Sequence, residues 1–251
     1  MISTDLIGRM GNQMFQYSIC RLIADQNGYN FHIPTNGEES CEGHHLSKFF
    51  PNIDLGVIDG NIKNTYQDNN EYNPNILNLT DFTKVRGFFQ CGNYYDNDHD
   101  KIKKWFDVKI DDVTKTLVTK YPINEYCFIH VRGTDYINSQ NWFLPRKYYL
   151  ESIEEVKKIN KDIKFVVITD DINSANNILP ELDIISNDMM VDFKLLHLSK
   201  YCIISNSTFS WWAAWLSDKE IIIAPNNWLN YNNQQLGSFP LHIQTNRFKF
   251  I

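Results

Sequence analysis

The chain has 251 residues, 43% hydrophobic and 22% charged, a mixture that excludes a wholly disordered or fibrous protein. At about 150 residues per domain, its length admits one large domain or two small ones, with enough chain to bury a core. The 24 Lys+Arg against 30 Asp+Glu give a formal net charge of −6, so there is no basic field for a nucleic-acid backbone and no nucleic-acid partner is expected. No apolar run approaches the ~18 residues of a membrane span. Met1-Ile2-Ser3-Thr4-Asp5 lacks a signal-peptide pattern, and the chain reads as soluble, unsecreted and cytoplasmic, with no transmembrane segment. Cys20, Cys41, Cys91, Cys127 and Cys202 are odd in number and scattered, which points to reduced, mostly buried thiols rather than a disulfide framework or zinc ribbon.

In chain order, a short strand from about Ile2 to Ile7 runs into Gly8-Arg9-Met10-Gly11-Asn12-Gln13. Phe15, Ile19, Leu22 and Ile23 then mark the buried face of a helix ending near Gly28. From Thr35 to Asn78 the chain is rich in Asn, Asp, Gly and Pro and reads as loops around short elements. Asn97 to Glu125 is a mixed helical and linker stretch, and a domain boundary is placed near residue 124, giving domains 1–124 and 125–251. Beyond it, the apolar runs Cys127–Val131, Phe165–Thr169, Cys202–Ser205 and Glu220–Ala224 look like strands covered on both faces. Helical spacing at Tyr148, Tyr149, Leu150, Ile153, Val156 and Ile159, and again at Leu195, Leu196 and Leu198, alternates with them, so an α/β fold with a parallel sheet is expected.

Four segments have residues suited to chemistry. In Gly8–Gln13 two glycines let backbone N–H groups approach a phosphate at a helix start, and Arg9 adds a cation. A tight structural turn capped by Asn12 explains the same pattern. His130-Val131-Arg132-Gly133-Thr134-Asp135-Tyr136 ends a strand, where a guanidinium is placed to hold a diphosphate. The bland reading is an Arg132–Asp135 ion pair with His130 as a hydrogen-bonded core residue. Asp170 and Asp171 end another strand, suited to ligate a divalent cation or accept from a base edge, or simply to cap the next helix. Ser205-Asn206-Ser207-Thr208-Phe209-Ser210 collects small polar groups ahead of a helix whose Trp211 and Trp215 read as core. Cys41, His44 and His45 have no partner half for a zinc site, and neither a Gly-x-Ser-x-Gly elbow nor a Gly-Lys-Ser/Thr phosphate loop is present.

Together, Gly8–Tyr17, His130–Tyr136, Asn206–Leu216, the trailing Ile223-Ala224-Pro225 and Trp228 resemble the ordered motifs of the α-1,2-fucosyltransferases. The resemblance implies a GT-B fold, two Rossmann-like domains facing across a cleft, with an acceptor-side domain first and a nucleotide-sugar-binding domain second. It implies metal-independent, inverting transfer of L-fucose from GDP-β-L-fucose to the 2-hydroxyl of a glycan acceptor, often β-galactose, with no cofactor beyond the donor. Carried over by residue, Arg132 neutralises the diphosphate, and Asn12 and the Gly11 turn lie near the reacting centre. Ser207, Thr208 and Ser210 cradle phosphate oxygens, with Arg9, His130, Asn206 and Phe209 in the donor motifs, Asp170 or Asp171 at the guanine edge, and Asp135 a candidate base. The family's usual second arginine is replaced by Gly133. That keeps open a different nucleotide-sugar donor, and a binding protein without catalysis is the remaining alternative.

Overall fold

Ile2, Ser3 and Thr4 are buried and form the first strand, β1 (Ile2–Thr4), of the computed structural model, which describes residues 1–35, 45–138, 141–231, 233 and 240–251. The strand stops three residues short of the expected Ile7 because the backbone is taken over by side chains. Ile7 N–H donates to Gln16 Oε1 (2.9 Å) and Gln13 Nε2 donates to Gly8 O (2.7 Å). Both glutamines are fully buried, so they hold the turn from inside the helix that follows, α1 (Met10–Asn27). Gly8 has φ +73°, and a Cβ there would stand 2.7 Å from Asn12 Nδ2. Arg9, not Asn12, occupies the helix N-cap, and no side chain caps it; Asn12 lies inside the first turn, with its Oδ1 accepting from Gln90 Nε2 at 2.9 Å. The α1 helix ends as expected at Gly28 (φ +68°), whose N–H bonds Ala24 O in a left-handed cap.

The first unit comprises Met1–Asp107 with Pro240–Thr245. It adds β2 (Phe31–His32), β3 (Asn64–Gln67), β4 (Thr83–Arg86) and α2 (His99–Trp105). Its four strands are parallel in the order β2-β1-β4-β3. The β3 strand falls in the stretch read as loops. Its Asn-Thr-Tyr-Gln sequence is polar and largely exposed at the sheet edge, so no apolar alternation announces it.

The second unit is Val108–Phe239 with Asn246–Ile251. In order it contains α3 (Asp112–Lys120), β5 (Tyr126–Val131), α4 (Arg146–Lys157), β6 (Lys164–Thr169), α5 (Ile172–Ile178), β7 (Asp183–Ile185), α6 (Met189–Leu198), β8 (Tyr201–Ile203), α7 (Thr208–Trp215), β9 (Ile221–Ala224) and β10 (Lys249–Phe250). All six strands are parallel, in the order β10-β9-β8-β5-β6-β7. The β5 strand is central. Cys127, Ile129 and Val131 pack with Tyr148, Tyr149, Ile153 and Val156 of α4 on one face of the sheet. Trp211, Trp212 and Trp215 of α7 are fully buried and form a ring cluster, with Trp211 stacked on Trp215 at 5.6 Å. The unit begins before the expected boundary near 124 because α3 belongs to it. Asp111 caps α3 through Thr114 N–H and pairs with Lys194 of α6 at 2.5 Å, tying the helix to the second unit.

Each unit is thus α/β with a parallel sheet, as expected of a Rossmann-like domain. Cys20, Cys91, Cys127 and Cys202 are buried free thiols whose pKa values burial raises, while Cys41 lies outside the described residues. Among the described residues no helix is long and apolar enough to cross a membrane.

The Gly8 turn gives a measurable contrast. Gly8→Ala combines an unfavourable φ with the Asn12 clash and should cost about 1–3 kcal/mol in urea unfolding. Gly28→Ala has the φ penalty alone, since nothing lies within 4 Å of the new Cβ, and should cost less.

Candidate functional site

From β5 the chain builds outward to β6 and β7, then returns to lay β8 on the other side of β5. Connections that leave neighbouring parallel strands in opposite directions open a crevice at their carboxyl ends, the usual ligand position of an open α/β sheet. The turn after β5 carries Arg132, the turn after β6 carries Asp170 and Asp171, and the turn after β8 carries Ser205 to Ser207. The sequence-predicted residues of the second unit therefore meet at one end of one sheet.

Arg132 is engaged on two sides. Its Nη1 lies 2.5 Å from Asp170 Oδ2 and its Nη2 donates to Asp135 Oδ1 at 2.5 Å, with 16% of the side chain exposed. Asp170 also accepts from Gly133 N–H (2.7 Å) and Thr134 Oγ1 (2.8 Å). One carboxylate thereby organises three consecutive residues of the β5 turn. Burial alone would raise the Asp135 carboxyl, but Arg132 and Thr134 outweigh it and hold it below the ordinary carboxylate value, which makes Asp135 a poor proton acceptor. Asp171 has a different job. It caps α5 by accepting from Asn173 N–H (3.0 Å), Ser174 N–H (3.2 Å) and Ser174 Oγ (3.0 Å), and the Ser174 bonds lower its pKa.

The conformation of the turn accounts for the glycine at position 133. A Cβ on Gly133 would stand 2.5 Å from the Asp171 Cβ, so the backbone passes against the start of α5 with no room for a side chain. Thr134, a β-branched residue, sits at φ +36° and is held there by its hydroxyl, whose one proton is shared between Asp135 Oδ1 and Asp170 Oδ2. Nothing in the sequence singled out Thr134, since a threonine in a loop carries no local signal of its backbone angle.

His130 is buried, with Nδ1 2.7 Å from Ser205 Oγ and its ring 5.6 Å from that of Phe209. Burial lowers its pKa to about 4, so it is a neutral core histidine at physiological pH. Asn206 is also buried. Its Nδ2 donates to Trp142 O (2.7 Å) and Trp228 O (3.0 Å), and its own carbonyl accepts from Tyr136 OH (3.2 Å). Ser207 is the N-cap of α7, where no side chain caps the helix, and Thr208 and Phe209 open its first turn half-exposed. Ser210 is turned inward. It is fully buried and its hydroxyl donates to the carbonyls of Ser205 and Ser207, which closes the turn rather than facing outward.

Arg9, Gly11 and Asn12 belong to the first unit. There Arg9 is exposed at the α1 N-cap, Gly11 is buried, and Asn12 is half-buried beside Gln90. Among the described residues no three His, Cys, Asp or Glu side chains gather as a metal site. His45 is hydrogen-bonded to Ser47 and Pro34, whereas Cys41 and His44 lie outside the described residues.

Two outcomes follow from this geometry. Gly133→Ala should destabilise the protein by about 1–3 kcal/mol through overpacking against Asp171, and Gly133→Arg by no less, read by urea denaturation. His130 binds no proton in the native state between about pH 6.5 and 4, while the unfolded chain does, so its contribution to stability is complete above pH 6.5 and is lost as pH falls toward 4. His130→Gln should therefore flatten the acid limb of a plot of Tm against pH. Asp192, pushed up to about 6 by burial, slopes the opposite way and is common to both proteins.

Comparisons with known proteins identify the family and the fold. The chain is 27% identical to an alpha-1,2-colitosyltransferase of Escherichia coli, over 93% of each chain. It is 30% identical over 120 residues to the O-antigen biosynthesis glycosyltransferase WbnK of Escherichia coli, covering 42% of this chain and 40% of that one. Its fold is shared with fucosyltransferase NodZ from Bradyrhizobium, at a TM-score of 0.52 and 13% identity, covering 86% of this chain and 92% of that one. The structure of NodZ alpha-1,6-fucosyltransferase soaked with GDP-fucose gives the same values. The family description "Glycosyl transferase family 11" matches residues 1–238, and the chain belongs to that family as a glycosyltransferase of the fucosyltransferase type.

Proposed function

We propose that this chain transfers a 6-deoxyhexose from a GDP-linked donor, GDP-β-L-fucose in the first instance, to the 2-hydroxyl of a sugar acceptor such as β-galactose. The transfer inverts the anomeric centre and forms an α-1,2 linkage. The observation that carries this reading is the position of Arg132 at the β5/β8 switch point, beside a helix start that no side chain caps. The α-1,2 linkage in the name of the relative matched over 93% of the chain supports the regiochemistry. The same name favours colitose, the 3-deoxy counterpart of L-fucose, as a second donor.

Breaking the bond between sugar and phosphate develops positive charge on the sugar and negative charge on the departing diphosphate. Donors aimed at the phosphate therefore help most as the transition state forms. A guanidinium carries five N–H donors, so its two carboxylate contacts leave donors for a phosphate. Where a phosphate oxygen needs more room, Asp135 is the carboxylate to yield. It is 51% exposed, and ion pairs in such settings are worth about 0–1 kcal/mol. Asp170 is 27% exposed and holds three donors, so it keeps Arg132 in place. The N–H groups and dipole of α7, opening at Ser207 and Thr208, supply further stabilisation without a charged side chain. Neutral His130 orients Ser205 and adds no cation. Asp135 serves better to orient Arg132 than as a base, given its lowered pKa. In this reading the second unit binds the nucleotide sugar, the first unit serves the glycan acceptor, Arg9 and Gly11 assist the donor, Asn12 acts at the reacting centre, and no metal or cofactor is needed.

The test is a ligand panel with product analysis. GDP and GDP-fucose should raise Tm, whereas UDP, UDP-sugars and added Mg²⁺ should not. Mass spectrometry should find a deoxyhexose added to galactose-terminated acceptors, with linkage at the 2-position. Arg132→Ala should lower kcat by about 10²–10³, the cost of removing one preorganised donor to a developing oxyanion. A flat response to guanine nucleotides, or unchanged turnover in Arg132→Ala, overturns the reading.

A further inference from the structure

Five of the six tryptophans are buried or half-buried, four of them with less than 2% exposure; Trp142 alone is presented to solvent, 39% exposed. A large ring left out of the core forgoes a substantial apolar burial, so its position calls for a reason. The backbone at Trp142 is fastened. Its carbonyl accepts from Asn206 Nδ2 at 2.7 Å, and the same amide holds Trp228 O, so the backbone that carries the indole is pinned to the end of β8. Its ring meets that of Tyr136 edge-on at 5.6 Å, and Tyr136 is pinned in turn by its hydroxyl bond to Asn206 O. Arg132 also approaches Tyr136, its guanidinium carbon 5.5 Å from the ring centroid. Arg132, Tyr136 and Trp142 thus form a continuous row that starts at the proposed phosphate clamp and ends at an exposed indole.

The row has a direction. Asp170 approaches Arg132 from the end of β6, whereas Tyr136 and Trp142 are fastened to Asn206, which follows β8 on the opposite side of β5. A nucleoside diphosphate sugar held at Arg132 extends two ways from its phosphates. The polar, carboxylate-lined side suits a purine with N–H donors, and the aromatic side suits a ring with an apolar patch. A 6-deoxyhexose has such a patch, because its C6 is a methyl group where other hexoses have a hydroxymethyl.

We propose that Tyr136 and Trp142 form an aromatic wall that packs on the methyl-bearing face of the donor's 6-deoxyhexose, with Asn206 as the residue that positions both rings. This inference rests on the donor class proposed above and adds to it the surface that selects the sugar. A hexose with a C6 hydroxyl gains less from the wall, since its hydroxyl loses water there without a partner. The wall serves L-fucose and its 3-deoxy counterpart alike, because both carry the methyl group.

Calorimetric titration of the intact protein with GDP, GDP-β-L-fucose and GDP-α-D-mannose separates the wall from the phosphate clamp. Trp142→Ala should raise the Kd of GDP-β-L-fucose about tenfold and leave that of GDP within twofold. The preference of the wild type for GDP-β-L-fucose over GDP-α-D-mannose should shrink by the same factor. Trp142→Phe should recover most of the affinity, and Asn206→Asp, which loses the amide donors to Trp142 O and Trp228 O, should reproduce the Trp142→Ala pattern while its circular dichroism stays native. Equal losses for GDP and GDP-β-L-fucose, or no loss for either, overturn the wall and leave the donor class standing. A wild-type protein that binds no guanine nucleotide overturns the donor class itself.

Discussion

The pairing of Arg132 with Asp170 across the ends of β5 and β6 is the contact on which the site depends. A guanidinium with 16% exposure has lost much of its hydration, and Asp170 compensates for that while also receiving Gly133 N–H and Thr134 Oγ1. One acid therefore sets the direction of the arginine and the path of the backbone beside it. The strained φ of Thr134 is sustained by the same network, as is expected where local backbone cost is offset by surrounding bonds.

This arrangement gives neighbouring residues separate duties. Asp170 and Asp171 are adjacent in sequence, yet one faces the β5 turn and the other caps α5. The cap brings Asp171 so close to residue 133 that only glycine fits, a steric consequence of how β6 passes into α5. A single cation then serves the turn. In the proposed reading the remaining favourable field for the diphosphate comes from backbone dipoles at α7, which carry no desolvation cost comparable to that of a second buried charge.

The first unit applies the same logic without charge. Two buried glutamines, Gln13 and Gln16, reach back from α1 to the backbone of Ile7 and Gly8 and hold the turn in which Arg9, Gly11 and Asn12 lie. Sequence reading offered Asn12 as a cap for that turn, as one of two readings, because capping preferences are local while the glutamines act from one turn further along the helix. The shape of the turn is thus determined by side chains that local rules pass over.

The sequence by itself determined the α/β class, the central strands of the second sheet, the end of α1 at Gly28 and the burial of the tryptophans on α7, because apolar runs, helical spacing and a left-handed glycine cap are local properties of the chain. It also placed Arg132, Asp170 and Asn206 at strand ends, which sheet topology then gathered. Tertiary structure alone decided that α3 joins the second unit, that polar β3 pairs at a sheet edge, and that Ser210 turns inward. It likewise decided which carboxylate holds the arginine and which caps a helix. Those outcomes turn on distances between residues far apart in the chain, and a pattern of residue types along one strand or helix contains no such distances.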